Sequence, residues 1–139
     1  MNDFSLYTED LLSFVGQRDW RQFETPQSLA MALGGEVGEL LALLQWLTPE
    51  QVETRLHDEE FRRELGFELA DILNYLLRLA RCAEVDLLRA AQEKLAVNER
   101  RYPVTLARGH YAKYDTLPAP ADCAGVMPAA AADNGGAQQ

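Results

Sequence analysis

Two acidic pairs with the same spacing are the residues in this sequence best suited to carry chemistry. Residues 33–47 read LGGEVGELLALLQWL, and residues 65–79 repeat this pattern as LGFELADILNYLLRL. The paired acids are Glu36 with Glu39 and Glu68 with Asp71. Residues three apart lie about one turn apart on the same side of a helix, so each pair presents two carboxylates to one neighbourhood.

The helical positions of these acids predict a divalent metal site. At roughly 100° per residue, Glu36 and Glu68 fall at the edge of an apolar face. Glu39 and Asp71 lie one step further toward solvent. A carboxylate near apolar groups is costly unless it is paired or coordinates a metal, and Arg78 is the only basic residue in the two segments. Oxygen ligands favour Mg²⁺, with Mn²⁺ as its substitute.

The sequence leaves two alternatives to a magnesium site. A salt-bridged helix surface is the usual role of acid-rich helices, but the doubled spacing and the direction toward the core favour a metal. A di-iron carboxylate site needs a Glu-x-x-His pair on each of two helices. The only histidines, His57 and His110, are not so placed.

A polar stripe and four aromatic residues are further candidates for ligand contacts. Lys94, Asn98 and Arg101 recur at helical steps, so they either bind phosphate oxygens or form a solvated face. Aromatic side chains beside a metal suit a flat base, although single aromatic residues more often belong to a core. The aromatic candidates are Trp20, Phe23, Trp46 and Tyr75.

Composition limits the class of protein. The chain has 139 residues and 47% hydrophobic content, which suits one domain. Its net charge of −9 argues against a nucleic-acid polymer or an anionic membrane as partner. Cys82 and Cys123 are far apart, as expected in a reducing cytoplasm. The first ten residues lack the features of a signal peptide, and we expect no apolar stretch of membrane length.

Helical signals cover most of the chain, and strand-like alternation is absent. Gly16 is expected to end the first helix, and Thr25 with Pro26 to begin the helix of the first acidic pair. The predicted helices are residues 3–15, 26–46, 49–56, 59–82 and 86–102. The fold class is therefore all-α, a four- to five-helix bundle. Residues 115–139 are rich in Ala, Pro and Gly and are predicted to be a disordered tail.

Three glycines interrupt the first acidic helix. Gly34, Gly35 and Gly38 each cost about 1 kcal/mol relative to alanine inside a helix. Close approach of another helix or a ligand would explain this cost.

Four motifs together resemble a known family. RDWxQF, GEVGELxxLxQW, ELxDxLxYL and KxxxNxRRYP are similar to the all-α nucleoside triphosphate pyrophosphohydrolases of the MazG superfamily, most closely the dCTP pyrophosphatase type. The resemblance covers about residues 20–114. It makes residues 1–114 the catalytic domain and residues 115–139 the tail.

The resemblance implies roles for the candidate residues. The four acids would hold Mg²⁺, the four aromatic residues would surround the base, and Lys94 and Asn98 would contact phosphates. Family members are homodimers or dimer-of-dimers homotetramers whose neighbouring subunits complete the sites. Where related sequences often read QFH, this chain has Glu24 in place of the histidine. An acceptor there would favour a base with an exocyclic amino group.

The function implied is magnesium-dependent hydrolysis of a deoxynucleoside triphosphate, dCTP-like or modified, to the monophosphate and pyrophosphate. Glu36 and Glu39 are the candidate catalytic acids, and we favour Glu36 for orienting the attacking water. The alternatives are a phosphoribosyl-ATP pyrophosphohydrolase, which the aromatic RDWRQF link disfavours, and a non-enzymatic helical dimerisation module.

Overall fold

The helices observed agree closely with those expected from the sequence. A computed structural model describes residues 3–109, 113 and 115, and this part of the chain contains no strand. The elements are α1 (Asp3–Gln17), a 3₁₀ turn (Trp20–Phe23), α2 (Pro26–Leu44), α3 (Pro49–Arg55), α4 (Glu59–Cys82), α5 (Leu87–Arg101) and α6 (Val104–Ala107). The all-α class is confirmed, and the short α6 is an addition to the four or five helices expected.

The chain divides into two compact units. The first comprises residues 1–90 and the second begins at residue 91, within α5. The predicted boundary at residue 114 stays a prediction. The predicted tail and His110 lie outside the described residues, apart from Asp115.

In the first unit, α2 and α4 form the principal helix pair. Ala32 of α2 shares a cavity with Tyr75 of α4, and Glu39 lies near Glu68. Higher residue numbers on α2 therefore lie beside lower residue numbers on α4, so the two helices are antiparallel. The buried apolar residues are Val15, Leu29, Phe61, Leu77 and Ala80.

Side-chain caps begin the helices that carry the candidate site. Thr25 and Ser28 form a capping box at α2, with Thr25 Oγ1 accepting from the Ser28 amide at 3.0 Å and Ser28 Oγ accepting from the Thr25 amide at 3.0 Å. Asp58 Oδ1 accepts from the Glu60 amide at 3.0 Å at the start of α4. These caps satisfy amides that have no partner within the helix.

The end of α1 differs from the prediction. Gly16 does not end the helix, which continues through Gln17. The left-handed residue that turns the chain is instead Asp19, with φ of 55°. Gln22 Nε2 donates to Asp19 Oδ2 at 2.7 Å, and Arg21 Nη2 donates to the Leu12 carbonyl at 3.1 Å. The Arg21 bond ties the 3₁₀ turn to α1, and the Gln22 bond closes the turn on Asp19.

The glycines of α2 are not explained by packing within the chain. A Cβ built at Gly34, Gly35 or Gly38 would meet no atom within 4 Å. The expected close approach of another helix is therefore wrong for the described part of this chain.

Helix α2 is more apolar than the sequence survey suggested. Its 19 residues are long and apolar enough to cross a membrane, by length and composition alone. It nevertheless carries Glu36 and Glu39 and packs along α4, so packing between helices accounts for apolar residues in α2.

Candidate active site

An acidic cluster lies between α2 and α4. One carboxylate oxygen from each of Glu36, Glu39 and Glu68 lies within 4.8 Å of the others. Glu36 and Glu68 are half-buried, whereas Glu39 and Asp71 are exposed, which is the order that helical periodicity predicts. The repeated sequence pattern thus brings acids from two helices to one place.

The charges in this cluster act on one another. Burial raises the pKa of Glu36, and the negative charges of Glu39, Asp71 and Glu68 raise it further. Asp71 is therefore close enough to act on Glu36, although it lies outside the tightest group. None of the four acids forms an ion pair with another described residue. Oxygen donors with uncompensated negative charge fit a hard divalent cation.

Asp71 is held by residues that the sequence survey did not identify. Asn74 Nδ2 donates to Asp71 Oδ1 at 3.4 Å, and the Tyr7 hydroxyl donates to Asn74 Oδ1 at 2.5 Å. The i, i+3 spacing of Asp71 and Asn74 is a local signal that could have suggested the first bond. Nothing local points to Tyr7, which reaches α4 from α1.

A cavity of about 320 Å³ lies beside the acidic cluster. Its lining residues are Trp20, Phe23, Glu24, Ser28, Leu29, Ala32, Tyr75 and Arg78. Three of the four predicted aromatic residues are therefore gathered here. The fourth, Trp46, lies beyond the end of α2, is 85% exposed and does not line this cavity.

The aromatic cavity is supported from two sides. The ring of Trp20 packs edge-to-face on Phe14 of α1, with centroids 5.8 Å apart. Arg78 lies over the ring of Tyr75, with its Cζ 4.7 Å from the centroid. Phe23 remains 69% exposed, so an apolar ring entering the cavity would cover it.

An ion pair that the sequence survey missed crosses the wall of this cavity. Arg78 Nε donates to Glu24 Oε1 at 2.7 Å, and both side chains are 13% exposed. The sequence predicted Glu24 as an acceptor toward the base and gave it no partner on α4. A pair separated by 54 positions leaves no local sequence signal.

The cavity and the acidic cluster are adjacent on both helices. Ala32 precedes Glu36 by four residues on α2, and Tyr75 follows Asp71 by four residues on α4. Four residues rise about 6 Å along a helix. A ligand with a flat ring in the cavity would thus place its next groups near the carboxylates.

The three predicted phosphate contacts lie on α5, in the second unit. Lys94 and Arg101 are exposed and Asn98 is half-buried. Their spacing places them on one face of the helix. Their phosphate contacts remain a prediction.

Comparison with known proteins adds independent information. No family model matches the chain. It is 47% identical over 105 residues to dCTP pyrophosphatase 1 of Bos taurus and 45% identical to that of Homo sapiens. Each alignment covers 76% of this chain and 62% of the relative, so the chain spans less than two thirds of these proteins.

The alignment with one solved structure includes nearly the whole length of the matched protein. The crystal structure of a pyrophosphatase from Archaeoglobus fulgidus is similar to this chain with a TM-score of 0.67 and 33% identity. The match includes 74% of this chain and 94% of the archaeal one. With the motifs, the helical fold and the acidic cluster, this likeness shows that the chain belongs to the MazG-like all-α pyrophosphohydrolases.

Proposed function

We propose that this chain is a Mg²⁺-dependent pyrophosphohydrolase that converts a deoxynucleoside triphosphate, dCTP-like or modified, to the monophosphate and pyrophosphate. The observation that carries the proposal is the cluster of Glu36, Glu39 and Glu68, with oxygens within 4.8 Å, one helical turn from an aromatic cavity. The dCTP pyrophosphatase relatives support the choice of substrate.

The proposed metal-binding and proton-accepting roles belong to residues of α2 and α4. A bound divalent cation supplies charge neutralisation for the triphosphate. Glu36, Glu39, Glu68 and Asp71 would hold it, with Mn²⁺ as a substitute for Mg²⁺. Glu36 is half-buried with a raised pKa, so it is our choice for accepting a proton from the attacking water.

The base and phosphates would be held by other residues. Trp20, Phe23 and Tyr75 line the cavity that would hold the base. Lys94, Asn98 and Arg101 are proposed to contact the phosphates through charge-assisted hydrogen bonds. Removal of surplus or modified nucleotides from the pool is the corresponding cellular role.

The direct test is product analysis. Purified protein would be incubated with each deoxynucleoside triphosphate in Mg²⁺ or in EDTA. Release of monophosphate and pyrophosphate in Mg²⁺ alone supports the proposal. Release of inorganic phosphate, or no release from any triphosphate, contradicts it.

A Mg²⁺ titration followed by thermal unfolding separates a metal enzyme from a bare helical module, because an ion that binds the native state raises its stability.

We also propose that the active form is a homodimer or a dimer-of-dimers homotetramer. Met31 and Leu41 are 71% and 61% exposed, and they share with Gly34 and Gly38 the face of α2 that is turned away from α4. An exposed apolar face of this kind is typical of a protein interface. A second copy packed there would explain the glycines.

A further inference from the structure

The wall of the aromatic cavity carries one acceptor group and one donor group in fixed positions. Glu24 and Arg78 both line this cavity. Their ion pair uses only Glu24 Oε1 and Arg78 Nε, 2.7 Å apart. The second carboxylate oxygen of Glu24 and the two Nη groups of Arg78 make no further hydrogen bond or ion pair with a described residue.

These remaining atoms are open to a ligand. Within the described residues, no buried side-chain nitrogen or oxygen lacks a hydrogen-bond partner. Unpaired atoms of Glu24 and Arg78 must therefore be reached by solvent, although each side chain is only 13% exposed. The cavity that both residues line gives them that access.

Both groups are held in place before a ligand arrives. The Arg78 guanidinium is fixed by Glu24 through Nε and by the Tyr75 ring beneath Cζ. The backbone of Glu24 is fixed at both ends, since its amide donates to the Arg21 carbonyl at 3.2 Å and its carbonyl accepts from Cys82 Sγ at 3.8 Å. Preorganised polar groups of this kind give selectivity at a low entropic cost.

We propose that Glu24 and Arg78 read the edge of the base held by the aromatic cavity, and that they select an aminopyrimidine of the cytosine class. The free carboxylate oxygen accepts from an exocyclic amino group, and an Arg78 Nη group donates to the adjacent ring nitrogen. Uracil and thymine carry a carbonyl and an N–H at these two positions, which opposes acceptor to acceptor and donor to donor. This inference rests on the proposed function, because it assigns specificity at that site.

The test is a comparison of kcat/KM for dCTP, 5-methyl-dCTP, dUTP and dTTP. The wild type is expected to prefer the two aminopyrimidines. In Glu24→Gln, the amide can present either its oxygen or its nitrogen, so the ratio of dCTP to dUTP should fall about ten- to hundredfold, the value of a hydrogen bond to a charged group. Glu53→Gln is the matched control, because Glu53 is an exposed acid of α3 that lines no described cavity. Its ratio should remain that of the wild type.

A second variant separates base reading from a purely structural tie between the 3₁₀ turn and α4. Arg78→Lys keeps a cation beside Glu24 but removes the guanidinium fork, so the dCTP to dUTP ratio should again fall. If the pair were only structural, each variant would lower the melting temperature and reduce kcat/KM equally for all four nucleotides.

The outcomes also separate this inference from the proposed function. Hydrolysis with an unchanged ratio in Glu24→Gln and Arg78→Lys, or a wild type that prefers dUTP or dTTP, overturns base reading and leaves the pyrophosphohydrolase proposal standing. Absence of hydrolysis of every nucleotide by the wild type overturns both.

Discussion

The Tyr7 hydroxyl donates a hydrogen bond of 2.5 Å to Asn74 Oδ1, linking two residues that are 67 positions apart. Asn74 in turn donates to Asp71 Oδ1 at 3.4 Å. Groups that hydrogen-bond a metal ligand orient it, and their loss costs about ten- to hundredfold in metal affinity. We therefore expect Asn74→Leu to weaken Mg²⁺ binding about tenfold, measured by the rise in melting temperature over a Mg²⁺ titration.

Tyr7→Phe tests whether the Tyr7 hydroxyl on α1 helps to position Asp71 through Asn74. It removes one hydroxyl and leaves the Asn74 amide in place, so a smaller loss of Mg²⁺ affinity is expected. Wild-type affinity in Asn74→Leu would show that Asp71 is positioned by its own helix alone.

Removal of single charges from the acidic cluster should abolish hydrolysis without unfolding the chain. The four variants are Glu36→Gln, Glu39→Gln, Glu68→Gln and Asp71→Asn. Each removes a carboxylate charge and changes little volume, so we expect loss of Mg²⁺-dependent pyrophosphate release with unchanged helicity by circular dichroism. Rates near wild type in two or more of them would refute the assignment of the metal ligands.

The acidic cluster could be predicted because its determinants are local. Spacings of three residues within α2 and α4 fix which acids share a face, and the apolar residues around Glu36 and Glu68 fix their direction. The caps at Thr25 and Asp58 are local signals in the same sense. A repeated helical pattern therefore yields the site's acids before any tertiary contact is known.

The parts that were missed depend on tertiary packing. The Glu24–Arg78 pair requires the residue that follows the 3₁₀ turn to lie against α4, 54 positions away in sequence. Helix α1 also continues two residues beyond its predicted end at residue 15. Gly16 is a good helix terminator by propensity, but Asp19 supplied the left-handed turn. Propensity is a weak prior where neighbouring elements fix the backbone.

Without metal, the same cluster should weaken the fold. Burial and three neighbouring acids raise the pKa of Glu36, so its charged form is less favourable in the folded state than in the unfolded chain. Glu36→Gln is therefore expected to raise the melting temperature in EDTA at neutral pH. This advantage should shrink as the pH falls through the raised pKa, because the wild-type carboxyl then becomes neutral as well.

In Mg²⁺, the wild type should have a higher melting temperature than Glu36→Gln. The wild type gains stability from the bound ion, whereas Glu36→Gln loses a ligand and gains less. A variant that is less stable than the wild type in EDTA would show that Glu36 has a favourable partner in the metal-free protein.

The last prediction concerns the open glycine face of α2. An added Cβ at Gly38 meets nothing within 4 Å in its own chain, so Gly38→Ala should stabilise an isolated monomer by about 1 kcal/mol through helix propensity. If a second copy packs on this face, the same methyl group overpacks the interface at a cost of about 1–3 kcal/mol. We expect the second result, seen by sedimentation velocity in EDTA as weaker self-association.

The sign of the effect makes this test decisive. A higher melting temperature with an unchanged sedimentation coefficient would show that the face is open in solution and that subunits meet elsewhere. Leu41→Glu provides a second reading of the same surface, because Leu41 is 61% exposed and a charge there costs little in a monomer but much inside an apolar interface. Dissociation of both variants to smaller species would locate the subunit contact on α2, on the side opposite the acidic cluster.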